Sequence, residues 1–347
     1  MKQVTAIALF SGGLDSILAA KLVASLGIRV LAVKFVTPFF DYELLDDPEK
    51  YKQEVMDKYG IEVILHDLSR NYLDLLHSPS HGFGKNFNPC IDCKILMFTR
   101  AKDMMAEYGA SFLISGEVIG QRPMSQRRDT LRVIERDSDN DGLLLRPLSA
   151  KIMDPTIAET EGWIDREKLL NFSGRGRSKQ IKLAKEYGII DFPTPAGGCI
   201  LADPTLSTRI EKIYKGNFVI KAEEITVTDI RFLLLGRQFL LPNGFWLILG
   251  RNEKENFKIE ELAEEGDILL HMPDRPGPTA LLRSAKARLL SCENKDEILS
   301  GATGLVVRYG KKVKDDPGVD VEVEGFKTKY RLMGVSTADQ SCTAWLV

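Results

Sequence analysis

Hydrophobic positions in the first half of the chain alternate between short apolar runs and segments with apolar residues at helical spacing. The predicted strands are residues 5–10, 28–36, 62–68 and 111–118, and the predicted helices between them are residues 15–26, 48–59 and 93–108. Strands that alternate with helices indicate a parallel sheet with helices on both faces. The first half of the chain is therefore expected to form an α/β domain.

The pattern changes near residue 194, where prolines and glycines cluster around Cys199. Shorter strand-like runs follow, at residues 224–228, 245–249, 267–271, 304–309, 319–323 and 328–333. We expect two domains, an α/β domain over residues 1–215 and a smaller α+β domain over residues 216–347.

Composition limits the function classes. Hydrophobic residues make up 44% of the 347-residue chain, yet no apolar run is long enough to span a bilayer. The first strand begins almost at the N-terminus, which leaves no room for a signal peptide, so we expect a cytoplasmic protein without a membrane partner. A net charge of -2 argues against a general polyanion binder, although local basic clusters remain.

Residues 11–16 (SGGLDS) join the first predicted strand directly to the first predicted helix. Glycines allow close backbone approach, and a helix N-terminus presents unpaired N–H groups and a positive dipole to an anion. Asp15 would repel a bare phosphate, so we expect it to bind the Mg²⁺ that accompanies a phosphate. The motif lacks the Gly-Lys-Ser/Thr ending that kinases and GTPases use. The predicted anion site consists of Ser11, Gly12, Gly13, Asp15 and Ser16.

Three of the five cysteines form a second candidate site. Cys90 and Cys93 have Cys-x-x-Cys spacing at a predicted helix start, which favours thiolates, and Cys199 lies in a glycine-rich loop that could reach them. The trio suits a persulfide relay, an iron–sulfur cluster held by three thiolates, or a zinc site with His81 as a candidate fourth ligand. Cys292 and Cys342 have no other cysteine close by in the sequence, and we expect them to have no role in binding or catalysis.

The SGGLDS motif resembles the signature of the PP-loop ATP pyrophosphatases, which release pyrophosphate and leave an adenylated intermediate. This resemblance implies ATP and Mg²⁺ as cofactors. It places the adenine against the backbone around Val33 and Phe35, with Gly116 in the nucleotide site.

A PP-loop followed by Pro-Cys-x-x-Cys and a later third cysteine is similar to the tRNA thiolation enzymes, above all the tRNA-specific 2-thiouridylases. Residues 116–126 (GEVIGQRPMSQ) also resemble a segment of the 4-thiouridine synthetases, and the resemblance covers roughly residues 1–205. It implies that a uridine carbonyl of tRNA is adenylated and its oxygen replaced by sulfur. We favour 2-thiouridine over 4-thiouridine as the product.

The cysteine region departs from the 2-thiouridylase pattern. Lys94 follows the second cysteine where that family has Asn, and Cys199 lies in an unusual Ala-Gly-Gly-Cys context. These differences favour a branch of PP-loop thiolases in which a three-cysteine [4Fe–4S] cluster holds the sulfur. The resemblance thus implies metal ligands Cys90, Cys93 and Cys199, catalytic roles for Asp15, Cys90 and Cys199, and free sulfide or a cysteine desulfurase as sulfur donor.

Basic residues gather in two stretches of the first domain, and such residues supply affinity for nucleic acid through phosphate contacts. The predicted RNA contacts are Arg122, Arg127, Arg128, Arg175, Arg177 and Lys179. In the second domain, a Gly-Arg-Asn at residues 250–252 and an Asp-x-x-x-His at 267–271 resemble the RNA-binding module of NFACT-type proteins. That resemblance implies a tRNA-gripping domain; the alternatives are a lid or a dimerisation domain that forms a homodimer.

Two other functions compete with tRNA thiolation. One is a PP-loop ligase that adenylates a small carboxylate, accepts ammonia and holds zinc at the cysteines. The other is a non-enzymatic RNA-binding protein with a degenerate nucleotide site, against which the intact SGGLDS motif counts.

Overall fold

The computed structural model describes residues 3–193, 200–312, 319–325 and 330–347. The chain divides into two compact units, Met1–Ala202 and Asp203–Val347. The division comes earlier than the boundary expected after residue 215, because the helix Pro204–Tyr214 packs against a helix of the second unit.

The first unit is built on a five-stranded sheet in which every neighbouring pair of strands is parallel. Its strands are β1 (Thr5–Leu9), β2 (Arg29–Val36), β3 (Glu62–Asp67), β4 (Phe112–Ser115) and β5 (Leu144–Leu145). Its helices are α1 (Leu14–Ser25), α2 (Pro48–Tyr59), α3 (Ser69–Leu75), α4 (Cys90–Tyr108), α5 (Arg128–Asp137), α6 (Ile157–Thr160) and α7 (Ser178–Glu186). The strand order β3-β2-β1-β4-β5 reverses direction at β1, and open parallel sheets bind ligands at the carboxyl ends of the strands beside such a reversal.

Both faces of this sheet are covered. Alternate residues of β1 point to opposite sides: Ala6 and Ala8 pack in a core with α1 and α7, whereas Ile7 packs in a separate core with α4 and α5. The predicted α/β domain is therefore confirmed. Within the described part of the chain, no helix is both long and apolar enough to cross a membrane.

The second unit contains a six-stranded sheet in the order β11-β10-β8-β9-β7-β6, in which all pairs are antiparallel. Its strands are β6 (Arg237–Leu240), β7 (Trp246–Leu249), β8 (Ile268–His271), β9 (Ala280–Leu282), β10 (Val319–Glu324) and β11 (Tyr330–Gly334). Its helices are α8 (Pro204–Tyr214), α9 (Val227–Leu233), α10 (Glu253–Leu262), α11 (Lys286–Leu290), α12 (Lys295–Tyr309) and α13 (Asp339–Trp345). This arrangement confirms the α+β class of the second domain.

Two strands predicted in this unit are wrong. Residues 304–309 end the helix α12, since the apolar residues Ala302, Leu305 and Val306 recur at helical spacing and are fully buried. Residues 224–228 lead into α9, because Thr226 and Asp229 form a reciprocal capping box that starts a helix. In both places local β propensity was outweighed by the helical pattern that surrounds it.

Candidate functional site

The glycine loop lies between β1 and α1, at the carboxyl edge of the sheet. Gly12 has a φ of 79°, which only glycine adopts without strain, and Gly13 is the N-cap of α1. Ser16 Oγ donates to the Gly13 carbonyl at 2.7 Å, and the Gly13 amide donates to Ser11 Oγ at 3.2 Å. The two serines therefore fix the loop in a shape that leaves the first-turn amides of α1 for an anion.

A buried lysine contacts the main chain of this loop. Lys34 on β2 is 4% exposed, and its Nζ donates to the Ser11 carbonyl at 2.8 Å and pairs with Asp41. The same ammonium lies about 4.0 Å from the position of a Cβ at Gly12. The sequence analysis missed Lys34, although a single charge inside the apolar run of residues 30–36 was a usable signal.

The segment of residues 116–126 closes one side of the loop. Gly116 packs so tightly against α1 that a Cβ there would lie 2.6 Å from the Asp15 carbonyl and the Ser16 amide nitrogen. Gln121 Nε2 donates to Asp15 Oδ2 at 2.8 Å, while Asp15 Oδ1 has no hydrogen-bond partner among the described residues. A buried carboxylate oxygen in this state suits a hard cation such as Mg²⁺.

Val33 and Phe35, expected near the adenine, lie on β2 with buried side chains that pack in the core. Any contact that they make with a nucleotide would therefore come from their main chain, as the resemblance implied.

The cysteine pair occupies the first turn of α4, which begins at Cys90, three residues before the predicted start. Cys90 and Cys93 are both half-buried, and Asn88 donates from Nδ2 to Cys90 Sγ at 3.1 Å. Asn88 is itself buried and accepts at Oδ1 from the Asn86 amide, so the loop before α4 is built around it. Two thiols of the predicted trio are thus brought together; Cys199 lies outside the described residues.

His81, the candidate fourth zinc ligand, is engaged elsewhere. Its Nε2 lies 2.9 Å from Asp137 Oδ2, and its backbone amide donates to Asp92, the buried carboxylate between the two cysteines. Among the residues that the structure describes, the one group of three potential metal ligands within 4.8 Å of one another is His271, Glu322 and Glu324 of the second unit.

A buried ion network connects α4 with segment 116–126. Glu117 is 3% exposed; its Oε2 accepts from Arg146 Nε at 3.0 Å, and its Oε1 lies 3.6 Å from Lys94 Nζ. Burial alone would raise the pKa of Glu117, but the charges of Lys94 and Arg146 outweigh it and hold that pKa below its ordinary value. Lys94, the residue that departs from the 2-thiouridylase pattern, therefore has a structural partner in the Gly-Glu motif.

We expect Glu117→Gln to destabilise the first unit by about 3 kcal/mol at neutral pH, since it leaves buried Arg146 and half-buried Lys94 without their shared carboxylate. A carboxyl group with a lowered folded-state pKa contributes stability above its unfolded pKa and loses it as pH falls through the folded value. The difference in the free energy of unfolding between wild type and Glu117→Gln should therefore become smaller at acidic pH.

Amide hydrogen exchange in β4 measures this effect locally. The control is Glu167→Gln, which removes an exposed partner of Lys151 and should change stability by less than about 1 kcal/mol. Equal exchange in the two variants would contradict the predicted role of Glu117.

The basic loop of residues 171–179 packs onto segment 116–126. The Gly174 amide donates to the Ile119 carbonyl at 2.8 Å, and buried Ser149 accepts from the Ile119 amide and donates to the Phe172 carbonyl. The six predicted RNA contacts are exposed or half-buried: Arg122, Arg127, Arg128, Arg175, Arg177 and Lys179. The basic loop and segment 116–126 thus form one surface beside the glycine loop, with Arg122, Arg175, Arg177 and Lys179 on it, whereas Arg127 and Arg128 lie at the start of α5.

The parallel sheet has the strand order of an open α/β domain, and the glycine loop after its first strand lies at the edge where such sheets bind ligands. Residues 1–157 match the protein family described as "Thiamine biosynthesis protein (ThiI)". Residues 236–346 match the family described as "NFACT protein RNA binding domain". The resemblance of the first domain to the PP-loop tRNA thiolation enzymes and that of the second domain to the NFACT RNA-binding module are confirmed.

A curated protein of Thermococcus kodakarensis, named "Probable tRNA sulfurtransferase", is 27% identical over 134 residues, which cover 38% of this chain and 34% of that protein. A solved 4-thiouridine synthetase–RNA complex with bound ATP is 24% identical, with a TM-score of 0.38 over 54% of this chain and 41% of that one. The U34-tRNA thiolase NcsA of Methanococcus maripaludis, solved with its [4Fe–4S] cluster, is 17% identical, with a TM-score of 0.33 over 62% and 67% of the two chains. The chain thus spans about a third of the curated relative that it matches.

Proposed function

We propose that this protein is an ATP-dependent sulfurtransferase that adenylates a uridine carbonyl of tRNA and replaces its oxygen with sulfur. One observation carries the proposal: segment 116–126 contacts both candidate sites. Gln121 binds Asp15 of the glycine loop, and Glu117 pairs with Lys94 next to Cys93. An activating site and a sulfur-bearing site linked in this way suit a two-step exchange of oxygen for sulfur.

In the first step the uridine carbonyl oxygen attacks the α-phosphorus of ATP, and pyrophosphate leaves. The Gly12 amide and the first-turn amides of α1 that follow Gly13, with the hydroxyls of Ser11 and Ser16, would hold the phosphates. Asp15 would hold Mg²⁺, which neutralises the charge that develops on the departing pyrophosphate. The unpartnered Oδ1 of Asp15 supports this assignment.

In the second step a sulfur nucleophile attacks the activated carbon, and AMP leaves with the former carbonyl oxygen. Cys90 and Cys93 offer soft donors one helical turn apart at the start of α4, which fits a [4Fe–4S] cluster completed by Cys199. Such a cluster, held by only three protein ligands, would supply an iron site for sulfide. In this chain, Asn88 fixes Cys90 by its hydrogen bond to the sulfur.

For tRNA binding, the surface formed by the basic loop and segment 116–126 lies beside the glycine loop, where the target nucleotide must enter. The NFACT match over residues 236–346 supports a further RNA-binding role for the second unit. The name of the Thermococcus relative supports tRNA as the substrate. Three points are still predictions from the sequence alone: thiolation at the 2-position of the uridine ring, the identity of the sulfur donor, and the formation of a homodimer.

We expect Lys34→Met to weaken ATP binding at least about tenfold, because Ser11 loses the charge-assisted bond that fixes its carbonyl. Asp41, the partner left behind, is partly exposed, so the fold should persist. Isothermal titration with ATP measures the change, with Lys52→Met as a surface control whose affinity should equal that of wild type. Unaltered ATP affinity in Lys34→Met would show that the loop does not need this support.

Analysis of the ATP products tests the proposed activity. With tRNA present, the protein should release AMP and pyrophosphate rather than ADP. Release that depends on a small carboxylate and ignores tRNA would instead identify a ligase. Anaerobic purification tests the cofactor, since a colourless, iron-free protein would rule out the cluster.

A further inference from the structure

Tyr51 brings a hydroxyl group from α2 to the glycine loop. A Cβ at Gly12 would lie 3.5 Å from Tyr51 Oη and 4.0 Å from Lys34 Nζ. These are contact distances, so both polar groups border the loop directly at Gly12. The hydroxyl is therefore within reach of an anion that the loop amides bind.

The spacing of apolar residues along α2 fixes the position of this side chain. Tyr51, Val55 and Tyr59 recur every four residues and pack against the core on the α1 side of the sheet. Asp47 caps the helix by accepting from the Lys50 amide at 3.1 Å, which fixes the turn that carries Tyr51. The aromatic ring is thus anchored in the core, and the hydroxyl extends beyond it to the glycine loop.

The Tyr51 hydroxyl is available to a ligand. Tyr59 Oη, further along α2, donates to the Asp191 carbonyl at 3.1 Å, whereas Tyr51 Oη has no hydrogen-bond partner among the described residues. Tyr51 is only half-buried, and its Oη keeps surface that is open to solvent. Burial and the negative charge of Asp41 raise the pKa of Tyr51 well above its ordinary value, so the hydroxyl stays protonated at neutral pH. It can therefore donate to an oxygen acceptor.

The other polar group at Gly12 is already engaged. Lys34 Nζ donates to the Ser11 carbonyl at 2.8 Å and pairs with Asp41, and its side chain is buried. The positive charge of Lys34 is therefore largely compensated, and so is the negative charge of Asp41, which would otherwise repel a phosphate. Of the two groups that border Gly12, Tyr51 is the one with a donor that no protein group uses among the described residues.

We propose that the Tyr51 hydroxyl donates a hydrogen bond to the β- and γ-phosphate part of ATP, which leaves as pyrophosphate. The inference rests on the proposed function, in which the bond between the α-phosphorus and its bridging oxygen breaks and the electron pair leaves on that oxygen. A neutral donor beside Gly12 stabilises the charge on the pyrophosphate, and its proton stays on Tyr51. Tyr51 is thus a binding residue and not a general acid.

Titration calorimetry of the full chain in the presence of Mg²⁺, with ATP, inorganic pyrophosphate and AMP as separate probes, tests this contact. Tyr51→Phe keeps the anchored ring and removes only the hydroxyl. Its affinities for ATP and pyrophosphate should fall about tenfold, as expected when a hydrogen bond to a charged group is lost. Its affinity for AMP, which has no β- or γ-phosphate, should equal that of wild type. Thermal stability without ligand should also be unchanged, because the hydroxyl has no partner among the described residues.

Tyr59→Phe is the matched control, since it removes a hydroxyl from the same face of α2 that is bonded to Asp191 instead. Its affinities for all three probes should equal those of wild type. Wild-type affinity for pyrophosphate in Tyr51→Phe, or an equal loss of affinity for AMP, would overturn the role of Tyr51 and leave the proposed function standing. Failure of the wild-type protein to bind both ATP and pyrophosphate would overturn the two together.

Discussion

Cys90→Ser is expected to abolish sulfur transfer, lowering it by about a thousandfold or more, while ATP binding stays at the wild-type level. A serine hydroxyl is neither a soft metal ligand nor a carrier of sulfur at neutral pH. The glycine loop lies at the β1–α1 junction, whereas Cys90 begins α4 after the loop that follows α3, so the anion site should be intact. Quantification of thiolated nucleoside and titration with ATP measure the two properties in the same preparation.

Cys292→Ser is the matched control, because Cys292 is a half-buried cysteine of the second unit. It should retain wild-type sulfur transfer. Full sulfur transfer in Cys90→Ser, or an equal loss of sulfur transfer in both variants, would show that Cys90 has no specific role in the reaction.

Gly116→Ala should abolish ATP binding and destabilise the first unit. A Cβ at this position would meet the Asp15 carbonyl carbon and oxygen and the Ser16 amide at 2.6 Å. All three are main-chain atoms of the first turn of α1, so no side chain can swing aside to relieve the clash. The anion site would have to move away from β4, and with it the position of Asp15.

Gly176→Ala is the control for this variant, since no atom lies within 4 Å of a Cβ there and its φ needs no glycine. Its thermal stability and ATP affinity should match wild type. Calorimetry measures the thermal stability of the two alanine variants, and titration measures their affinity for ATP. Wild-type affinity in Gly116→Ala would show that the close packing of Gly116 on α1 is not needed for the nucleotide site.

Most of the sheet of the first unit was readable from the sequence, because β1 to β4 are short, largely apolar runs and α1, α2 and α4 have apolar residues at helical spacing, whereas β5, α3 and α5 to α7 were not predicted. The motif in residues 11–16 was readable for the same reason, as it falls at a strand–helix junction. In the second unit, Val306 and Val307 favour a strand locally, and residues 304–309 are recognised as helical only when the apolar spacing of the preceding residues of α12 is included. A window confined to residues 304–309 does not contain that information.

The candidate site was predicted less completely than the fold. The motifs identified the residues that would touch ligands, but the residues that support them lie far apart in sequence. Lys34 meets Ser11, and Arg146 meets Glu117, through pairings of neighbouring parallel strands that no local pattern specifies. A charge within an apolar run can be noticed in the sequence, but its partner is known only when the neighbouring strand is placed.

Mass analysis of tRNA nucleosides, after anaerobic incubation with ATP and a sulfide source, tests the proposed function most directly. Cluster-reconstituted protein should produce a thiolated uridine, and comparison with 2-thiouridine and 4-thiouridine standards assigns the ring position. The product should disappear with Cys90→Ser and persist with Cys292→Ser. Unmodified tRNA under these conditions, with ATP bound and iron present, would contradict the account.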